Sequence, residues 1–407
     1  MNVKTVFNYL FVLIVPSVFF SFAANSIILI LCSLMSIWLL RKNPPHNIWK
    51  KYLLFNTFTL VIVIGLLIDL LNQNTTDFNQ IIKRLSFVLM PFIFSASSKQ
   101  IQDLALKAYV FVLTILSSIL LIVGLARSVL NKNQIIYGNW DSETTERFYQ
   151  NDMFINWGEL SYKRLFFFFD MHPSYYALFS IIAIIILLFT QTVKLKKLLK
   201  WSFILIHMIM IIFLSSKTGI ISLFIVLLAY SFIGQSNKNR LIGLSVILLL
   251  VLIIAKTPST EIRLKSAYKS ISSENNLMKI NSTSERLILW NSITDLSLKE
   301  LIIGVGNSGG EDRILTSTGI DKNMHNQFLQ SLLNAGIIGV LLLIIFVFLP
   351  LFFKRNIFTV LLVSVVFLNL LFENMLDRIW GITVISFFYA FTIFGSAELL
   401  YFKSVKD

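Results

Sequence analysis

Long apolar stretches separated by short polar turns run along most of this chain. Each stretch holds about 17–25 residues, the length that an α-helix needs to cross the hydrocarbon core of a bilayer. The stretches are continuously apolar, as in 181–188 and 340–349, whereas the strands of a membrane β-barrel alternate apolar and polar residues. The pattern therefore predicts an all-α polytopic membrane protein with about twelve transmembrane helices. These fall near residues 5–22, 25–40, 52–71, 81–97, 104–126, 173–191, 200–216, 218–234, 240–256, 326–350, 357–373 and 379–398.

The composition agrees with this pattern. Of the 407 residues, 56% are hydrophobic and 14% are charged, whereas a soluble domain carries about 25% charged residues. A water-soluble fold and a disordered chain are therefore both excluded. The formal net charge of +14 would suggest nucleic acid binding in a soluble protein, but in a membrane protein Lys and Arg collect in cytoplasmic loops. We expect the lipid bilayer as a partner, and no nucleic acid.

The distribution of Lys and Arg predicts the orientation. These residues cluster after the second, fourth, sixth, eighth, tenth and twelfth predicted helices, whereas the loop 72–80 has none. The bias places both termini in the cytoplasm. Lys4, the following apolar run and the Ser21-Phe22-Ala23 sequence resemble a signal peptide, but the run is long and another apolar stretch follows at once. We expect a retained first helix.

Two polar segments, 127–172 and 257–325, interrupt the apolar pattern and are expected to be periplasmic. Long loops cross the membrane regardless of their charge. A loop as long as 257–325 rarely lacks structure of its own, so we predict a partly helical domain there, between helices nine and ten. The predicted division is 1–126 (helices one to five), 127–172 (periplasmic loop), 173–256 (helices six to nine), 257–325 (large periplasmic loop domain) and 326–407 (helices ten to twelve and a short cytoplasmic tail).

The large loop contains a predicted helix over 285–296, with N-cap candidates at 282–284. Arg286 and Trp290 are four residues apart and share a face of it. They form either a stacked surface pair or a site in which Arg286 holds an anionic substrate group. Residues 304–309 read G-V-G-N-S-G, but a dinucleotide motif needs a βαβ unit, so we expect a glycine turn after a helix.

Two histidines stand at the start of predicted helices. His325 opens the tenth and His172 the sixth, where Pro173 suits a first helical turn. Histidine has an ordinary pKa of about 6.5, which suits general base catalysis. The simpler interpretation for each is an interfacial histidine that caps its helix.

Further charges lie near the predicted outer surface. Lys217, in a short loop, either binds an anion or extends its ammonium group to the interface. Glu373, Asp377 and Arg378 are predicted to pair with one another. No Walker A, H-E-x-x-H or nucleophile-elbow motif occurs, and we expect no metal and no cofactor. A set of cations and histidines suits an anionic, membrane-anchored substrate such as a diphosphate, because departing negative charge is stabilised by cations.

Three stretches resemble the O-antigen ligase and polymerase superfamily of membrane glycosyltransferases, and a fourth is a weaker match. The first stretch, 284–290 (S-E-R-L-I-L-W) with 303–307 (I-G-V-G-N), resembles the family's R-x3-W helix and its glycine turn. The second, 324–329 (M-H-N-Q-F-L) with 334–339 (N-A-G-I-I-G), resembles its H-N-x2-L and G-x2-G segments. The third, 215–219 (S-S-K-T-G), resembles its S-R-x-G segment, and 171–176 (M-H-P-S-Y-Y) is the weaker fourth match. The resemblance covers about 170–340.

The resemblance implies a metal-independent, inverting glycosyl transfer on the periplasmic face of the bacterial inner membrane. The donor would be a glycan on undecaprenyl diphosphate, and the acceptor a sugar hydroxyl, on lipid A–core for a ligase. Arg286 would bind the diphosphate, and His325 would orient or deprotonate the acceptor hydroxyl. Lys217 stands where the family usually has arginine, so it keeps the charge without the planar fork. The other expected substrate-binding residues, for diphosphate or glycan, are His172, Arg164, Arg313 and Trp290.

Two other activities fit parts of the sequence. A repeat-unit polymerase of the same superfamily is favoured slightly by the two sizeable outer loops. A polyprenyl-linked glycan flippase or transporter fits twelve helices, but it predicts intramembrane charges along a path. Asp69 is nearly the only clear mid-helix candidate, and no internal repeat with matching interrupted helices is present.

Overall fold

The computed structural model describes residues 2–41, 48–132, 156–157, 159–160, 162–166, 171–233, 236–257 and 282–395. Residues 133–155 and 258–281 of the two predicted periplasmic segments, and the predicted cytoplasmic tail 396–407, lie outside the described residues. Two compact units divide the chain: a first unit of Met1–Tyr109 with Glu285–Leu399, and a second unit of Val110–Ser284 with Leu400–Asp407.

The described residues form helices and connecting turns, without a strand among them, as the sequence predicts. The α-helices are α1 Val3–Ser17, α2 Phe22–Leu40, α3 Ile48–Phe55, α4 Thr57–Leu71, α5 Asn79–Lys83, α6 Leu85–Ala96, α7 Lys99–Leu130, α8 Pro173–Phe189, α9 Lys197–Leu214, α10 Lys217–Phe232, α11 Asn237–Lys256, α12 Ser282–Asn291, α13 Leu298–Ile303, α14 Asn307–Thr318, α15 Gln327–Phe353, α16 Ile357–Phe372 and α17 Ile379–Phe394. Single turns of 3₁₀ helix occur at Tyr162–Phe166, Ser292–Asp295 and Met375–Asp377.

Each predicted apolar segment coincides with a helix or a helix pair. Among the described residues four helices, α2, α7, α9 and α15, are long and apolar enough to cross a membrane, and α3 with α4 forms a fifth candidate bent by 58°. Five shorter apolar helices are α1, α8, α10, α16 and α17. These helices support a multi-pass membrane protein; the number twelve and the side on which each loop lies stay predictions.

The faces of α2 illustrate the lipid-facing character of the fold. Ile27 and Leu34 are more than half exposed, whereas Asn25 and Ser36 are fully buried. This distribution is the reverse of a water-soluble helix. It is expected where the surrounding solvent is hydrocarbon, because polar groups must then find partners inside the protein.

Helix α15 is interrupted near its first third. Ala335 and Gly336 have non-helical backbone angles, and Gly336 has φ +62° and ψ −158°, a conformation that only glycine adopts readily. A β-carbon at Gly336 would overlap the carbonyl group of Ile302. The close approach of α13 to this break therefore requires glycine.

The turn 304–306 donates hydrogen bonds to backbone carbonyl groups of α15 next to the break. The N–H of Val305 donates to the carbonyl of Leu333 at 2.7 Å, and the N–H of Gly306 donates to the carbonyl of Asn334 at 3.2 Å. Gly304 has φ +95° and directly follows α13, which confirms the predicted glycine turn after a helix. The two glycine segments of the sequence thus dock on each other.

Asp69, near the end of α4, anchors the next helix. Its buried carboxylate accepts hydrogen bonds from the backbone N–H groups of Asn307 (2.9 Å), Ser308 (3.0 Å) and Gly309 (3.1 Å). These are donors at the N-terminus of α14, where a helix attracts negative charge. The carboxylate therefore takes the position that an anion would occupy there, and Asp69 has a structural explanation.

Candidate functional site

Helix α12 is fixed to its neighbours by Trp290, near its C-terminal end. It ends at Asn291, and the predicted continuation to 296 is instead the 3₁₀ turn Ser292–Asp295. The indole N–H of Trp290 donates to the carbonyl of Met324 at 2.8 Å. Its ring packs against Phe372, with 6.2 Å between ring centroids. Trp290 thus ties α12 to the segment that precedes α15, and Arg286 lies one turn earlier on the same face.

Two residues predicted to be catalytic meet at one carboxylate. Nη2 of Arg286 donates to Oε1 of Glu373 at 2.5 Å, and Nδ1 of His325 lies 3.2 Å from Oε2 of the same side chain. The Glu373 side chain is 8% exposed, whereas those of Arg286 and His325 are 21% and 23% exposed. A nearly buried carboxylate therefore bridges two partly accessible basic groups.

His325 has an unusual backbone conformation. Its φ is +47°, in the left-handed region that residues other than glycine seldom adopt. The side chain of Asn323 accepts its N–H at 3.1 Å. Asn326 caps α15 by accepting from the N–H groups of Phe328 and Leu329. His325 thus precedes the cap, and the capping interpretation is wrong for it. Left-handed strain of this kind clusters at functional sites.

The sequence interpretation of the acidic cluster was wrong. Glu373 contacts Arg286 and His325, whereas Asp377 pairs with Arg84 at 2.5 Å; neither of these ion pairs joins members of the predicted trio. Glu373 was not among the predicted site residues. The available signal was an acidic residue placed directly after an apolar helix, where an unpaired charge is costly.

A buried polar network supports the same region. Arg84, only 1% exposed, holds Asp377, whose other oxygen accepts from the side-chain amide of Asn374 at 2.9 Å. That amide also lies 3.2 Å from Oε1 of Gln330. The same oxygen accepts the N–H of Met324 at 3.1 Å. The network therefore reaches Met324, the residue next to His325, and restrains the backbone at this position.

Arg313 contacts Asp295 and Glu300. Nη2 of Arg313 donates to the carbonyl of Asp295 at 2.9 Å, and its Nε lies 3.8 Å from Glu300. Glu300 forms a capping box with Ser297 at the start of α13. Hydrogen bonds from the backbone and then the side chain of Ser297, together with nearby Arg313, lower the pKa of Glu300 from its ordinary value. These contacts give Arg313 a structural role at the surface of α13 and α14.

The second unit contains the remaining predicted residues. Lys217 is the first residue of α10, and its Nζ donates to the hydroxyl of Thr283 at 2.9 Å. Ser215, which ends the preceding helix, has φ +49°, and Ser216 caps α10 by accepting from the N–H of Gly219. Both sides of the Lys217 turn are therefore fixed.

His172 and Arg164 have structural contacts of their own. Nδ1 of His172 accepts from the N–H of Ser174 at 3.4 Å and caps α8, which agrees with the simpler interpretation of this histidine. Arg164 lies 3.2 Å from Glu159, which also pairs with Arg127 at 2.6 Å. The Arg164 side chain is 41% exposed and remains accessible to a ligand.

The fold and the site define a multi-pass membrane protein with a basic centre, in which an arginine and a histidine share one carboxylate. Residues 201–344 match the family model described as O-antigen ligase. This match confirms the resemblance to the O-antigen ligase superfamily, whose members are membrane glycosyltransferase-like enzymes. Lys217, Arg286 and His325 lie inside the matched range, and Glu373 lies beyond it. No curated protein matches the chain.

Proposed function

We propose that this chain is an O-antigen ligase-type glycosyltransferase. It transfers a glycan from undecaprenyl diphosphate to a sugar hydroxyl of lipid A–core, at the periplasmic face of the bacterial inner membrane. The observation that carries the proposal is the meeting of Arg286 and His325 at Glu373, together with the family match over both residues. Both termini are cytoplasmic in this proposal.

Arg286 binds the leaving group, the diphosphate. As the bond between the anomeric carbon and the diphosphate oxygen breaks, its electron pair leaves with the diphosphate. A guanidinium presents a planar fork of N–H donors that matches phosphate oxygens and stabilises the departing charge. The charge is neutralised by protein cations, so the proposed transfer is independent of a metal and of a cofactor.

His325 acts as the general base for the acceptor hydroxyl. The acceptor hydroxyl attacks the anomeric carbon from the side opposite the diphosphate, which inverts the configuration, and its proton passes to the imidazole. Among the described residues Nε2 of His325 has no hydrogen-bond partner, and the ring is partly exposed. This nitrogen is therefore available to a hydroxyl group, as a general base must be.

The remaining predicted residues are proposed to bind the substrate. Each of Lys217, His172, Arg164, Arg313 and Trp290 is a candidate contact for the diphosphate or the glycan. Lys217 supports this assignment best, because it matches the family's basic position and begins a rigidly capped helix. Trp290 already uses its indole N–H, so only its ring face remains for a sugar.

The test is glycan transfer by the purified full chain. The protein is supplied with a synthetic undecaprenyl-diphosphate-linked glycan and, in separate reactions, with lipid A–core or with a second lipid-linked glycan. The proposal predicts a new glycosidic bond on lipid A–core. Products lengthened on the lipid carrier would instead identify a polymerase. Movement of the donor across a bilayer without a new bond would identify a flippase.

A further inference from the structure

We propose that Glu373 is an internal placeholder for the substrate phosphate. The carboxylate of Glu373 binds both Arg286 and His325; when the donor binds, the diphosphate displaces the carboxylate from Arg286, and the contact between the carboxylate and His325 is kept. The nature of the displacing anion rests on the proposed function. The displacement itself rests on the arrangement of the three side chains.

The two oxygens of Glu373 have different partners. Oε1 binds Arg286 at 2.5 Å and Oε2 binds His325 at 3.2 Å. Each carboxylate oxygen accepts hydrogen bonds independently, so the contact with Arg286 can be lost while the contact with His325 is kept. A guanidinium binds carboxylate and phosphate through the same fork. The two anions therefore compete for one cation.

The burial of the three side chains sets the direction of exchange. Glu373 is 8% exposed, whereas Arg286 and His325 are each more than a fifth exposed. An anion arriving from solvent thus reaches Arg286 before it reaches the carboxylate. Glu373 directly follows α16, and its backbone N–H donates to Asn369 at 2.9 Å. This helix end fixes the backbone of Glu373, and the contact with His325 holds the carboxylate after Arg286 has changed partner.

The retained contact prepares His325 for its task. An ionised carboxylate can only accept a hydrogen bond, so Nδ1 of the neutral imidazole must carry the proton and Nε2 the lone pair. Once Nε2 takes the acceptor proton, the carboxylate lies beside an imidazolium and stabilises it. Glu373 is therefore a positioning residue, which acts on the reaction through His325 and on donor binding through Arg286.

This double role predicts opposite effects from one substitution. In Glu373→Gln the competing charge is gone, so a diphosphate should bind about tenfold more tightly, because the competent state no longer has to be released from an ion pair. Turnover should fall by about 100-fold, because the imidazolium loses its anionic neighbour. A residue with a purely structural role would weaken binding and turnover together.

The experiment measures binding and turnover on the same preparations. Wild type, Glu373→Gln, Glu373→Ala and the control Asp312→Asn, which neutralises an exposed acid of α14, are purified in phosphatidylcholine nanodiscs. Calorimetry reports binding of farnesyl diphosphate, with farnesol as the matched apolar probe. Tighter diphosphate binding with slower glycan transfer in either neutral variant of Glu373, and no change in Asp312→Asn, is the expected result.

Formate provides a second readout if one variant folds poorly. In Glu373→Ala the removed carboxylate leaves room for a small one, so formate should restore part of the turnover and weaken farnesyl diphosphate binding. Folded neutral variants that bind farnesyl diphosphate equally or less tightly overturn the placeholder role. If wild type makes no glycosidic bond but the neutral variants bind diphosphate more tightly, the proposed reaction fails and the placeholder stands.

Discussion

Gly336 lies so close to Ile302 that a β-carbon would overlap the Ile302 carbonyl group. We predict that Gly336→Ala lowers the stability of the first unit by at least about 1–3 kcal/mol, the usual cost of backbone strain in this region of φ and ψ. Gly319 is the matched control, because it also has a positive φ of +68° but a β-carbon added there would have no neighbour within 4 Å. Thermal unfolding of the purified variants should show a clearly larger loss for Gly336→Ala. Equal losses would mean that α13 does not pack closely against the α15 break.

Asp69 offers a test of the docking between α4 and α14. In Asp69→Asn the side chain keeps its shape but loses the charge that three backbone N–H groups share. We expect a loss of about 1–3 kcal/mol, as for buried donors left without a good acceptor. The control is Asp77→Asn, since Asp77 accepts a single N–H at the exposed position of Asn79. Denaturation curves that shift equally for both variants would contradict the anchoring role.

The contribution of Glu300 to the stability of the folded protein depends on pH. Its hydrogen bonds with Ser297 hold its pKa in the folded protein below the ordinary value of 4.5. The stabilisation is therefore fully present above that value and is lost as the pH falls through the folded-state pKa. The difference in melting temperature between wild type and Glu300→Gln should be constant at neutral pH and shrink in acid. A difference that grows in acid would contradict the capping box.

Lys217 tests the second unit. We expect Lys217→Ala to raise the KM for the lipid-linked donor by about tenfold or more, because a charge-assisted contact is lost. Lys217→Arg should keep near wild-type transfer, since it restores the residue usual in the resembling family. Thr283→Val removes the hydroxyl that accepts from Nζ at 2.9 Å and serves as the control for the orientation of the lysine. Unchanged donor kinetics in Lys217→Ala would remove this residue from the binding set.

The sequence predicted the helices because a transmembrane pattern depends on local composition alone. Continuous apolar runs such as 181–188 need no knowledge of their neighbours to be assigned as buried or lipid-facing helix. Arg286 and His325 can also be identified as candidate site residues from the sequence, through their chemistry and the family resemblance. Their contact through one carboxylate cannot be predicted, because Glu373 is distant from both in the sequence and is expected from the sequence to pair with its neighbours Asp377 and Arg378.

The interrupted helix could not be predicted for a similar reason. Gly336 in an apolar run is compatible with an unbroken transmembrane helix, and the break is required only by the contact with Ile302. Asp69 likewise resembled an isolated intramembrane charge until its partners in α14 were known. In each case a single residue acts through a long-range backbone contact, about which local periodicity contains no information.

The most direct test of the central claim is glycan transfer by Arg286→Ala. The control is Lys322→Ala, which removes a half-exposed cation paired with Glu285 in the same segment and should leave transfer intact. Both variants are purified in equal folded amounts and supplied with donor and lipid A–core. We predict that Arg286→Ala loses transfer by at least about 100-fold, the effect of removing a group that stabilises charge in the transition state. Wild-type turnover in folded Arg286→Ala would contradict the account.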